Sequence, residues 1–259
     1  CAIYNGTGWS LFDVESIFLG MKPDNPEVSG ALEIWLSPGE WTGTGASGVN
    51  TWSDIGPDKA TVSAVNVKIA SGESINGADV PYYDGANNNA YAGYSVAGVF
   101  NGTDKPITMI AAVNLRSIAR AQAIYALGDS AQQFKSNLIC GTNINGPYNI
   151  FRRNDTNTNS INMLVGTAVS GWQILSFRDT GASGQIWKNG TELTAGPSGT
   201  SIGSMSFNRS SVGRNPRQTP DSYYDNTMGD VLVYSSGLTD TQRNNIEKFL
   251  SNKWGITLD

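Results

Sequence analysis

The residues best suited to handling a polar ligand lie in three loops. Asp84 and Gly85 lead into Asn87, Asn88 and Asn89, with Tyr91 and Tyr94 just beyond; Asn154 opens the polar run NDTNTNS; and Tyr223, Tyr224 and Asp225 occupy the long loop 216–226. Carboxylates and carboxamides offer planar donors and acceptors to hydroxyl groups, and an aromatic ring offers a flat face to the apolar side of a sugar. Asp84, Asn87, Asn88, Tyr91, Asn154, Tyr223, Tyr224 and Asp225 are therefore candidate glycan ligands. Turns select the same residue types for their own backbone chemistry, so each loop also has a plain structural reading. Calcium takes six to eight oxygens, and Asp84 with Asn87, Asn154 with Asp155, or Asp221 with Asp225 could contribute some of them. None of these pairs has a diagnostic spacing, so no metal ligand is assigned and Ca2+ stays an optional ligand.

Other chemistries fall away. The chain has no histidine, which removes every Ser-His-Asp, Cys-His and His-ligated metal mechanism. Glycoside cleavage needs two carboxylates held a few ångströms apart, and on one strand such a pair falls at even spacing. Asp13–Val14–Glu15 is the one place where a glutamate has an acidic partner two residues away, and it lies in an N-terminal segment unlike the rest. No catalytic residue is assigned; a hydrolase assembled from separate loops is the third reading. The glycines at 43, 45 and 48 match the dinucleotide fingerprint formally, but Pro38 precedes them and no helix follows. A net charge of -5, with Arg152–Arg153 and Arg209, Arg214 and Arg217 as the only basic clusters, argues against nucleic acid. Cys1 and Cys140 are too few for a disulfide framework and admit one bridge or, preferably, two free thiols. No apolar run approaches the ~18 residues of a membrane span.

Short strands must position these loops. The chain is 15% charged with 30 glycines, which suits strands joined by turns. Apolar runs of strand length occur at Ile34 to Leu36, 49–53, 80–85, 122–128, 138–140, 148–152 and 172–177. Val65, Val67 and Ile69 alternate as one half-buried strand, ITMIAAVNL at 107–115 is apolar on both faces and reads as a central strand, and 204–212 reads as one more. Asn189–Gly190 supplies the positive φ angles of a two-residue hairpin turn within 185–193. Trp35 and Trp52 read as core residues. The one helix starts after Leu238, with Thr239 and Gln242 as a capping box, Ile246, Phe249, Leu250 and Trp254 on one face, and Gly255 as its stop.

Three of these stretches carry a resemblance. GDVLVY through KWG at 229–255, ALEIWLSPGEW with VNTWSDIGP at 31–57, and VPYYDG at 80–85 resemble laminin-G-like domains of the concanavalin A-like lectin/glucanase superfamily, as found in phage and bacterial surface proteins. The hairpin at 185–193 is also typical of that family. The resemblance implies an all-β fold, a two-sheet antiparallel jelly-roll sandwich with a short C-terminal α-helix, over residues 31–259. Residues 1–30 then form either an extra strand or cap, or an arm that docks the domain onto a larger assembly. The function implied is a non-enzymatic virion surface protein of decoration, head-fibre or tail-associated type. Its partners would be other virion proteins or copies of itself, with glycan binding or host adhesion. The alternative is a secreted or lipid-anchored bacterial carbohydrate-binding protein, with Cys1 as the acylated residue. Either places the chain on a virion surface or outside the cell.

Overall fold

The computed structural model describes residues 2–4, 9–11, 22–23, 31–42, 49–57, 61–65, 67–84, 91–94, 97–115, 120–144, 146–158, 160–181, 183–193 and 201–259. The strand Ile107–Leu115 explains the layering. Its residues Met109, Ala111 and Val113 join one apolar cluster, whereas Ile110 and Ala112 join another. Successive side chains of a strand point to opposite faces, so a strand apolar throughout has to be covered twice. It pairs antiparallel with Gly171–Asp179 on one side and Asp225–Tyr234 on the other. Gly184–Lys188 and Thr191–Glu192 extend this sheet at one flank and Leu32–Thr42 at the other.

The second sheet runs through Ser160–Val165, Tyr148–Arg153, Asn137–Thr142, Gln122–Gly128, Arg209–Val212, Tyr91–Tyr94, Thr61–Val65 and Val49–Asp54. Leu32–Thr42 carries the ladder between the sheets. Its first half pairs with Asp225–Tyr234, while Trp41 and Thr42 pair with Trp52 and Thr51. The register shifts between Leu36 and Trp41, where Pro38 has no N–H to give. Inner faces of both sheets, including Ile34, Val231 and Leu175 from one and Ile124, Leu138 and Ile150 from the other, build the larger core. The protein is thus an antiparallel two-sheet β-sandwich with, among the described residues, one α-helix at its C-terminal end, as the sequence leads one to expect.

That helix, Asp240–Trp254, forms the third layer. Thr239 Oγ1 accepts from the Gln242 N–H at 3.3 Å, and Gln242 Oε1 accepts from the Thr239 N–H at 2.9 Å, the reciprocal capping box. Gly255 ends the helix in the left-handed conformation at φ 66°. Ile246, Leu250 and Trp254 are buried against Ile110, Ala112 and Leu232, and Phe249 meets Trp35 edge to face at 6.1 Å.

Three expectations change. Val65, Val67 and Ile69 do not share a strand: Thr61–Val65 pairs with Val49–Asp54, whereas Val67–Ile75 pairs with Ala78–Asp84, because alternation reports which face is buried and not which partner is bonded. Residues 204–212 likewise split. Ser204–Met205 pairs with Gly102–Thr103 and Arg209–Val212 with Gln122–Gly128, and between them the Phe207 N–H turns to Asn101 Oδ1 at 2.6 Å. Arg152–Arg153 is no basic patch: Arg152 is buried, 2.9 Å from Asp179, while Arg153 faces the other way. Asn76–Gly77, with φ 49° and 77°, makes a second hairpin turn of the Asn-Gly kind that the sequence reading passed over. Ala2–Tyr4 and Trp9–Leu11 pair as a separate two-stranded sheet.

Candidate functional site

The predicted ligand residues scatter. Tyr224 is a core residue at 0% exposure, its ring 5.9 Å from Tyr83 and its hydroxyl donating to the Asn114 and Thr227 carbonyls, so it faces no ligand. Asn154 is buried too, at the base of its polar run, with Nδ2 on Thr158 Oγ1 and Oδ1 accepting from the Thr158 N–H. Its neighbour Asp155 is taken by Ser136 and Ser206. Tyr223 and Asp225 are half-buried, with Asp225 at the limit of a hydrogen bond, 3.5 Å, from the Tyr82 hydroxyl. The ladder sets Asp225 opposite Asp84. Asn87, Asn88 and the side chains of Asp84 and Tyr91 lie outside the described residues, as do Cys1, Asp13, Glu15 and the glycine loop 43–48. Trp52 is a core residue as expected, and Trp35 is half-buried beneath the helix.

The structure brings a different set together. In strands Asn137–Thr142, Tyr148–Arg153 and Ser160–Val165, alternation sends Leu138, Cys140, Ile150 and Met163 into the core. Their neighbours Asn137, Ile139, Asn149, Phe151 and Asn162 therefore lie on the outer face. Register aligns Ile139, Phe151 and Asn162 in one row across the three strands. Beside this row the loop 215–222 rises as a wall, and the two enclose a cleft of about 210 Å3 whose rim includes Ala121 and Asn143. Gly141 allows the floor: a Cβ there would fall 1.9 Å from the Gln122 carbonyl oxygen, so the strands approach this closely only without one.

The wall is tied down at both ends. Asn215 and Asp221 form an antiparallel bridge, with the Asn215 N–H 2.9 Å from the Asp221 carbonyl. The Gln218 N–H donates to the Gln132 carbonyl at 3.0 Å and that of Thr219 to Gln133 Oε1 at 2.8 Å. Across the floor, Asn137 Nδ2 donates to Asn215 Oδ1 at 2.6 Å, Asn215 Nδ2 donates to Asp221 Oδ1 at 2.9 Å, and Arg217 Nη2 pairs with Asp221 Oδ2.

Three oxygens of this cleft have no partner: Asn137 Oδ1, Thr142 Oγ1 and Asn149 Oδ1, on residues 3%, 2% and 7% exposed. Leaving a buried polar atom unmatched costs about 1–3 kcal/mol, so such atoms ordinarily take a hydrogen bond from a group that reaches them. The soft χ2 torsion of asparagine lets the Asn149 amide turn toward an incoming hydroxyl at little cost, whereas the Asn137 amide is held by its bond to Asn215. Half-buried Phe151 supplies an aromatic surface beside them, with the Arg153 guanidinium 5.0 Å over its ring. A larger groove of about 600 Å3 lies by the helix end, but its amides are committed, Asn76 to the Lys253 carbonyl and Asn189 to the Ile174 N–H, each at 2.9 Å. Among the described residues no group of three acidic, Cys or His side chains is placed to hold a metal.

No protein-family model and no curated protein matches the chain. Solved structures do. Domain 4 of AbnA, a GH43 extracellular arabinanase from Geobacillus stearothermophilus solved with arabinotriose, is 10% identical with a TM-score of 0.61, over 84% of this chain and 98% of that one. A Trypanosoma rangeli sialidase in complex with 2,3-difluoro-KDN is 14% identical at 0.58, over 94% of this chain and 37% of its own. The binding domain of botulinum neurotoxin DC, in complex with rat synaptotagmin II, is 10% identical at 0.58, over 87% and 52%. At such identities the likeness is one of fold: this chain has the β-sandwich found in carbohydrate-binding and sialidase-type proteins.

Proposed function

We propose that this chain is a non-enzymatic carbohydrate-binding sandwich of the concanavalin A-like kind, and that it holds its glycan in the cleft between Phe151 and the loop 215–222. The observation that carries this reading is the set of three partnerless oxygens at Asn137, Thr142 and Asn149 beside a half-buried aromatic ring. Sugars answer both features at once, with hydroxyls for the oxygens and an apolar ring face for the phenyl group. The shared fold with a domain solved with arabinotriose supports it. The cleft's chemistry supports binding without cleavage: Asp221 is the carboxylate among its described lining residues and is committed to Arg217 and Asn215, whereas hydrolysis needs two. The protein acts outside the cell, and the family resemblance favours display in several copies on a virion surface, docked through residues 1–30.

A glycan array followed by titration of the best ligand tests this, with and without a chelator to register any calcium requirement. Asn149→Ala and Phe151→Ala should each weaken binding about tenfold, the loss expected for one hydrogen bond or one ring contact. Asn149→Ala should do so with no loss of thermal stability, since it removes an atom that the folded state leaves unmatched. Equal destabilisation would return Asn149 to structural duty, and an absence of binding by well-folded protein would leave an architectural surface protein.

A further inference from the structure

We infer that the cleft takes neutral glycans and rejects acidic ones, an inference that rests on the carbohydrate-binding reading above. The reason is the direction of its hydrogen-bond chain. An ionised carboxylate only accepts, so Asp221 Oδ1 fixes the Asn215 amide with Nδ2 toward it at 2.9 Å. Asn215 Oδ1 must then face Asn137, whose Nδ2 donates to it at 2.6 Å. Asn137 is left with its carbonyl oxygen free. The relay from Asp221 thereby sets the polarity of an amide two residues away in the chain of contacts, and the atom presented is an acceptor. Asn149 Oδ1 is a second free acceptor, and Thr142 Oγ1 can act either way.

Sugar hydroxyls donate to such oxygens. A carboxylate or sulfate has no proton to donate and would bring its lone pairs against them. Among the residues that line the cleft, positive charge does not compensate. Arg217 is matched by Asp221, with Nη1 on the Gln133 carbonyl at 3.3 Å, and its unpartnered Nε belongs to that neutral pair. Arg153 shares the outer face, opposite Asn137 in the ladder, but its guanidinium lies over the Phe151 ring and outside the cleft's lining.

The test is an array of neutral oligosaccharides of arabinose, galactose, glucose and N-acetylglucosamine beside their sialylated and sulfated counterparts, read with wild type, Asn149→Ala and Asp221→Asn. Melting temperatures confirm that each variant folds. Wild type should prefer neutral members about tenfold or more wherever the acidic group is the one seated in the cleft, because there it leaves the acceptors unmatched. Asp221→Asn frees both amides to turn and unpairs Arg217, so the preference should narrow or reverse. A wild-type preference for acidic glycans that Asn149→Ala weakens would overturn this inference while keeping the cleft as the binding site. An unchanged preference in Asp221→Asn would overturn the relay. Failure of folded protein to bind either class would overturn the carbohydrate-binding reading and this inference with it.

Discussion

Asp230 shows how much one residue holds. It is fully buried on the helix side of its sheet, and its carboxylate accepts from the indole N–H of Trp35 at 2.8 Å, that of Trp254 at 2.6 Å and Lys253 Nζ at 2.8 Å. These donors come from the first core strand and the last turn of the helix, so one side chain joins the two ends of the sandwich. Gly229 beside it leaves room for the Trp254 ring, since a Cβ there would sit 3.0 Å from that ring. Asp230→Ala would strand two indole donors, and we expect a loss of about 3 kcal/mol or more in urea unfolding, at roughly 1–3 kcal/mol per unmatched group. Asp230→Asn keeps one acceptor and should lose less. The contrast with Asn149 is the informative one: Asp230 has every partner and no access to ligand, whereas Asn149 lines a cleft and has an oxygen with none.

Among elements, the C-terminal helix was the most legible. Its caps are local, contained within 239–242 and 251–255, and its buried face recurs at helical spacing, so short-range pattern suffices. Thr239→Ala should reduce stability by about 1 kcal/mol, the usual worth of an N-cap, measured by thermal or urea denaturation. Glycan affinity of the folded variant should not change, because the helix supplies no residue to the cleft. The Asn189–Gly190 hairpin and the doubly buried Ile107–Leu115 strand were legible for the same local reason. The strands on either side of residue 66 were not: their alternation is continuous in sequence, and only the pairing shows that the chain changes partners there.

At the scale of the whole molecule, three protonated groups are locked in the sandwich. Burial, with the nearby Asp179 charge, pushes the Cys140 thiol far up from 9.0, and burial raises the Tyr83 and Tyr148 hydroxyls above 10.0. Below these ordinary values all three stay protonated whether the chain is folded or not, and the stability tied to them is fully present. As pH rises past 9.0 and then 10.0, the unfolded chain releases protons that the folded chain keeps, so stability falls. The melting temperature should therefore decline progressively above about pH 9, and Cys140→Ala should flatten the first part of that decline. By the same logic, alkylation at Cys140, followed by peptide mapping, should require global unfolding, since the reactive thiolate is suppressed and the sulfur is covered.

What the sequence by itself determined was whatever depends on neighbours along the chain: an all-β class, the central strand covered on both faces, one capped helix and an Asn-Gly turn. It also identified the loop 216–226 as a place to look, with Tyr223, Tyr224 and Asp225 as glycan ligands, Asp221 only as an optional calcium ligand and Arg217 only as one of a basic group. Only the tertiary structure decided which face of each strand is outer and which loops meet. Arg152 and Arg153 look alike in sequence, yet period two puts one inside the sandwich and the other outside. Tyr224 looks like a loop aromatic and is core. Asn137 and Asn215 are 78 residues apart, and nothing in their local patterns foretells that one amide sets the orientation of the other. Strand pairing between distant segments is settled by the packing of the whole sandwich, and the cleft is a product of that pairing.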